Sequence, residues 1–315
     1  MRYGLTIPYM DTPLAEHADK LREVADAGYT DFWSAEAGGA DAFTPLALAS
    51  QWVPSAQLGT AIVPAYTRGP GLLAMSVATM ADAAPGRFTF GVGSSSNVIV
   101  ERWNGIPFEQ PLQRVRDTVR FLRKALAGEK VDEAFETFTV KGFRLERAPA
   151  QPPKILIAAL RSKMLTLAGE EGDGAIINWL SAEDVKTVVP YVGTGKDVVA
   201  RIFVCPSEDA DTVRTIARRM VAAYLNVPVY AAFHDWLGRG EALAPMWEKW
   251  KAGDRAGALE AIPDQVVDDL IIHGPAEHCR EVIRAYMDNG VTVPALAPIP
   301  LGMSYHEAAL ALAPR

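Results

Sequence analysis

The feature that most constrains this chain is an alternation. Short apolar runs rich in β-branched residues are each followed by a segment whose apolar residues recur at helical spacing, and the pair repeats along most of the sequence. Strand-type runs fall at 2–7, 30–34, 57–62, 87–92, 155–159, 174–178, 198–205 and 291–296. The spacing predicts helices over 14–27, 43–51, 71–83, 112–126, 162–170, 182–192 and 211–225. A further helix is opened by Gly274-Pro275 and closed by Gly290, and a short one starts near Ser304. Strands joined through helices lie parallel with right-handed crossovers, and eight such units most simply close into a ring. The expected fold is α/β, a single (β/α)8 TIM barrel spanning 1–315, with an open doubly wound sheet as the alternative.

Three segments interrupt the alternation. Residues 97–111 read as a long loop carrying Trp103. Over 129–152, Phe135, Phe138, Val140 and Phe143 predict a hairpin insertion turning at Lys141-Gly142. Residues 226–263 form a helical, aromatic insertion in which Trp247 and Trp250 share a face suited to a core or a subunit interface. Pro294 counts against the last strand, because proline cannot donate to a sheet ladder.

A 49% hydrophobic content allows a large core, and the net charge of -7 arises from interspersed residues with no basic run to follow a phosphate backbone. Nucleic acid is not an expected partner. Cys205 and Cys279 lack paired spacing, which fits a reducing compartment. The N-terminus has no signal-peptide span, and no run of apolar residues is long enough to cross a membrane. The expectation is a cytoplasmic protein without a membrane partner, and the aromatic insertions are compatible with a homodimer.

In a barrel the active site lies at the C-terminal ends of the strands, so the residues there can be judged by their chemistry. Lys163 belongs to a helix start, leaving no strand-tip lysine for a Schiff base. Glu36 has only Asp41 nearby in sequence, which makes no carboxylate pair for glycoside hydrolysis. His17, His234, His273, His278 and His306 fall in helices, insertions or their edges, and no metal site is expected. Gly91-Val92-Gly93 lacks the third glycine of a dinucleotide fingerprint, and Gly193-Thr194-Gly195-Lys196-Asp197 lacks the leading glycine of a phosphate loop. What remains is a mouth of small apolar residues, amides, hydroxyls and one or two acids. Such a mouth suits a flat conjugated cofactor with an anionic tail, acting on a small-molecule substrate.

Three motifs stand in order along the chain. They are Leu58-Gly59-Thr60-Ala61-Ile62 with Tyr66-Thr67-Arg68-Gly69-Pro70; Pro85-Gly86-Arg87-Phe88 with Gly91-Val92-Gly93; and Ala158-Ala159-Leu160 with Met164, Leu167-Ala168-Gly169 and Gly172-Asp173-Gly174. Together they resemble the luciferase-like flavin and deazaflavin oxidoreductase superfamily, in its coenzyme F420-dependent branch. The resemblance implies a cis peptide at Ala61-Ile62 behind the cofactor ring, with Val63 and Arg68 beside it. It also implies a cofactor tail held at Gly93, Ser94, Ser95, Ser96 and Asn97 and at the helix start Leu160, Arg161, Ser162, Lys163 and Met164, with Asn178 also at the cofactor. Helix N-termini are anion sites, and Arg161 and Lys163 add charge. Arg161-Ser162 departs from the family, which often has glycine and proline there.

By position, Glu36 is the expected proton donor or acceptor. Asp41 is expected to cap a helix, Arg68 to fix the loop or touch the tail, and Trp103 and Trp179 to line the substrate pocket. The implied activity is hydride transfer between coenzyme F420 and a small organic substrate. The alternatives are an FMN-dependent monooxygenase and a barrel that has lost its cofactor and only binds a ligand or partner.

Overall fold

The computed structural model describes residues 1–314. Its strands are β1 (Gly4–Thr6), β2 (Asp31–Ser34), β3 (Gln57–Thr60), β4 (Val63–Pro64), β5 (Phe88–Gly93), β6 (Val131–Ala134), β7 (Thr139–Phe143), β8 (Lys154–Ala158), β9 (Gly174–Asn178), β10 (Asp197–Cys205), β11 (Ile271–His273) and β12 (Val293–Pro298). Its helices are α1 (His17–Asp26), α2 (Phe43–Trp52), α3 (Pro70–Ala83), α4 (Pro111–Leu126), α5 (Ser162–Glu170), α6 (Ala182–Val192), α7 (Ala210–Leu225), α8 (Pro228–His234), α9 (Gly240–Lys251), α10 (Arg255–Glu260), α11 (Asp264–Leu270), α12 (Ala276–Asp288) and α13 (Tyr305–Ala311). Strands β1, β2, β3, β5, β8, β9, β10 and β12 pair in parallel, and β12 closes onto β1, completing the expected barrel.

Period-two alternation sorts each strand between two cores. Phe32, Leu58, Phe90, Ile157, Ile177 and Ile202 face outward and join the helices in the main core. Trp33, Leu156, Ile176, Val199, Val293 and Ala295 face inward and fill the barrel axis. The Trp33 indole takes so much of that space that its neighbours must be glycine. A Cβ at Gly59 would stand 2.2 Å from Trp33 Cζ3, and one at Gly4 would stand 2.9 Å from Cδ1.

Several local expectations are corrected. The hairpin turns at 135–138, where the Phe135 amide donates to the Phe138 carbonyl at 2.9 Å, and not at Lys141-Gly142. This register gathers Phe135, Phe138 and Phe143 around Phe121 of α4, so burial of the rings overrides the local turn signal. β12 begins at Val293 and is buried throughout, with Pro294 paired to Ala200 inside a central strand. Here the gain from burying Val293, Ala295 and Leu296 outweighs one missing donor. The loop 97–111 contains a turn of π-helix, Val98–Trp103. The third strand stops at Thr60 and resumes as β4.

Residues 226–263 fold as α8, α9 and α10, which pack with α7 and α11 into a second core above the barrel. Trp247 donates from Nε1 to the Leu225 carbonyl at 2.9 Å, while Trp250 lies under Arg255. The long β10 joins the two cores: Asp197–Arg201 pair with β9, and Phe203–Cys205 pair with β11.

A methyl group at Gly59 collides with a fully buried indole that has nowhere to move. Gly59→Ala is expected to lower stability by about 2–3 kcal/mol in urea unfolding followed by circular dichroism. Gly69→Ala, at a site with nothing within 4 Å, should change it by less than about 1 kcal/mol.

Candidate active site

The C-terminal end of β3 organises the barrel mouth. Gly59 pairs with Thr89 and Val63 pairs with Val92, so Thr60, Ala61 and Ile62 stand opposite only Phe90 and Gly91. The excess residue makes a bulge, and the Ala61-Ile62 peptide within it is cis. The Ile7-Pro8 peptide, which the sequence reading did not single out, is also cis.

Hydrogen bonds replace the interrupted ladder on both sides of the bulge. The Thr60 hydroxyl donates to the Gly91 carbonyl at 2.9 Å and accepts from the Gly91 amide at 2.7 Å. Toward β2, the Ala61 amide donates to Ser34 O at 2.7 Å and the Glu36 amide donates to Ile62 O at 3.0 Å. Gly91 is required for this approach, because a Cβ there would fall 2.0 Å from the Thr60 carbonyl oxygen. Ala61 and Ile62 remain half-buried against the inward core, forming a small apolar floor.

Glu36 and Arg68 meet beside that floor. Arg68 Nη1 lies 2.5 Å from Glu36 Oε1, and the guanidinium rests over the Phe43 ring at 4.9 Å. The Ala42 amide donates to the same carboxylate oxygen at 3.3 Å. Arg68 therefore fixes the loop by pairing with a carboxylate. Asp41 accepts from the amides of Phe43 and Thr44 and caps α2. Partial burial pushes its carboxyl up, but those bonds from Thr44 and Phe43 hold it below the usual range.

The expected tail residues gather at the ends of β5 and β8. Ser94, Ser95, Ser96 and Asn97 are all half-buried, and Ser95 adopts φ 61°. Ser96 anchors the π-helical turn, its carbonyl accepting from Val100 at 2.9 Å. Arg161 precedes α5 in extended conformation (φ -116°, ψ 167°), which any residue adopts, and no side chain caps the helix. The first-turn amides at Ser162 and Lys163 are thus open to an acceptor. Arg161 and Lys163 are exposed, and neither makes an ion pair among the described residues. From this point a groove lined by Leu112, Arg116, Ser162, Lys163, Thr166 and Glu170 runs between α4 and α5. The side chain of Val63 is buried in the outward core, and those of Leu160 and Met164 are half-buried against it.

An uncapped helix start, two unpaired cations and neighbouring hydroxyls fit an anionic tail, and the apolar floor fits a flat ring. Residues 1–293 match the profile of the luciferase-like monooxygenase family. The chain belongs to that family. It is 26% identical over 325 residues to a protein of Mycobacterium tuberculosis named as a coenzyme F420-dependent oxidoreductase, covering 93% of this chain and 94% of the relative. It is 28% identical over 319 residues to the 5,10-methylenetetrahydromethanopterin reductase of Archaeoglobus fulgidus, covering 95% and 94%. Among solved structures, the coenzyme F420-dependent tetrahydromethanopterin reductase of Methanopyrus kandleri superposes with a TM-score of 0.81 at 20% identity, covering 99% of this chain and 97% of that one.

Within this luciferase-like framework the two pocket tryptophans part company. Trp103 is 61% exposed on the rim and stands over Gly38 of the neighbouring loop. Trp179 does not line an open pocket. It is 1% exposed, packed between Phe203 of β10 at 4.3 Å and Tyr224 of α7 at 4.6 Å within the second core. Asn178, one residue earlier, does face inward, and its amide donates to the Tyr230 hydroxyl at 3.3 Å.

The sequence reading missed Arg201 and Tyr230. Arg201 had a signal, since a charged residue inside the apolar run 198–205 shares the inward parity of Val199. Tyr230 had none, because only the fold of the insertion brings α8 to β9.

Two tests follow from this geometry. Thr60→Val keeps the shape but leaves the Gly91 amide and carbonyl buried without partners, and should cost about 2–3 kcal/mol in chemical denaturation. His234 is fully buried with no hydrogen-bond partner at either ring nitrogen. Burial, followed by the charge of Arg239, holds it neutral down to about 3, opposed by the nearby Trp179 backbone. The unfolded chain therefore binds a proton below about pH 6.5 that the folded chain refuses, and stability falls as pH drops from 6.5 toward 3. Between pH 7 and pH 5 this group should remove about 2 kcal/mol, a slope that His234→Asn abolishes in pH-dependent unfolding.

Proposed function

We propose that this protein is a coenzyme F420-dependent oxidoreductase that acts on a small organic substrate at the barrel mouth. The observation that carries the proposal is the pairing of a small apolar floor at Ala61 and Ile62 with an uncapped, cation-flanked helix start at Arg161–Lys163. The name of the Mycobacterium tuberculosis relative, matched along more than nine-tenths of the chain, supports the same cofactor. When bound, the deazaflavin supplies a carbon that gives or takes a hydride.

The chain's own residues then have defined tasks. Ala61, Ile62 and Gly93 support the ring, and Ser94 to Asn97 together with the α5 amides hold the tail, with Arg161 and Lys163 neutralising its charge. Glu36 handles the proton, kept in place by Arg68 and the Ala42 amide. Trp103 and the Gly38 loop close the outer rim over the substrate.

Titration of the purified protein with each cofactor, followed by absorption and fluorescence, separates the readings. F420 should bind more tightly than FMN. Tighter FMN binding would replace the deazaflavin reading by a flavin monooxygenase, and binding of neither would favour a cofactor-free ligand-binding barrel. The double variant Arg161→Ala/Lys163→Ala should weaken F420 about tenfold and flatten the salt dependence of binding, with the ring spectrum unchanged.

A further inference from the structure

The mouth contains one charge that the preceding scheme leaves idle. Arg201 of β10 faces the barrel lumen, one inward position above Val199 and one below Phe203, in register with Asn178 on β9 and Ala295 on β12. Its guanidinium stands 5.1 Å from the centroid of the Phe203 ring. It is half-buried, and its Nε is enclosed with no acceptor.

Every other arginine with comparable burial is satisfied. Arg2, Arg68, Arg214, Arg218 and Arg239 each pair with a carboxylate. Arg87, Arg114 and Arg280 donate to backbone carbonyls, and Arg116 donates to Gln113. Among the described arginines that are at least half-buried, Arg201 alone has neither hydrogen bond nor ion pair. A guanidinium nitrogen withdrawn from water without an acceptor is costly, and a cation left unpaired at the edge of a lumen is placed to receive an anion from outside.

We propose that Arg201 binds a carboxylate on the substrate and thereby selects a carboxylate-bearing molecule, an inference that rests on the mouth being a substrate site. A planar guanidinium matches the two coplanar oxygens of a carboxylate. Asn178 and the Tyr230 hydroxyl stand beside it to complete the polar end. The Phe203 and Tyr230 rings supply an aromatic wall for the apolar body of the same molecule. The proposed proton carrier, Glu36, lies in the loop after β2, on another side of the ring of strands, so the anchor and the reacting end are held by different elements.

The probes are benzoate, its neutral counterpart benzamide, and inorganic phosphate. Each is titrated calorimetrically into the chain alone and into the chain with F420 added, for wild type, Arg201→Gln and Arg201→Lys. Benzoate should bind wild type at least tenfold more tightly than benzamide, Arg201→Gln should erase that preference, and Arg201→Lys should keep part of it. F420 affinity should stay within threefold in both variants, which also reports that they fold. The proposal is overturned if wild type shows no preference for benzoate, if Arg201→Gln retains it, or if phosphate binds more tightly than benzoate. A tenfold loss of F420 affinity in Arg201→Gln also overturns it, by assigning the arginine to the cofactor. Failure of wild type to bind F420 removes the deazaflavin reading alone, and the benzoate arm on the chain by itself still decides the role of Arg201.

Discussion

The hydroxyl of Thr60, bonded to both the amide and the carbonyl of Gly91, is the contact on which the mouth depends. A strand that gains a residue relative to its neighbour loses its ladder there, and the orphaned groups must find other partners in a buried place. Thr60 takes those of Gly91, while Ser34 and Glu36 take those of Ala61 and Ile62 from the other side. The bulge is therefore a continuation of three strands by other means. Glycines at 59 and 91 are the steric counterpart, since one leaves room for Trp33 and the other lets two backbones touch.

Charge is distributed unequally around this frame. On one side Glu36 and Arg68 neutralise each other beside the floor, and the pair is braced by Phe43 and the Ala42 amide. At the ends of β5 and β8 the charge is positive and open to solvent. Facing the lumen, Arg201 is positive and half-buried. A molecule entering the mouth thus meets two uncompensated positive regions, one exposed near α5 and one half-buried on β10 between β9 and β12. Low-dielectric walls make the half-buried charge the more selective of the two.

The second core, built by residues 226–263, decides how deep that space is. Trp179 is buried in that core, and α8 of the insertion brings Tyr230 to Asn178. Beyond the insertion, β11 pairs with the end of β10, where Phe203 stands one inward position above Arg201. The insertion is thus part of the site as well as a packing unit.

The sequence by itself determined the parallel barrel, the positions of the insertions and the stretch from 58 to 70 as the place where the third strand breaks. These are local properties: period two, helical spacing and turn residues are written within a few neighbours of each position. The three family motifs likewise pointed to Ser94–Asn97 and Arg161–Lys163, which the fold gathers at the ends of β5 and β8. Only the tertiary structure decided that the hairpin turns at 135–138, that Pro294 sits inside a central strand, that Glu36 is held by Arg68, that Trp179 is buried and that Arg201 has no partner. Each of these depends on which distant segments meet, because burial, pairing and the lack of a partner are sums over the whole surroundings of a side chain, and no window of sequence contains them.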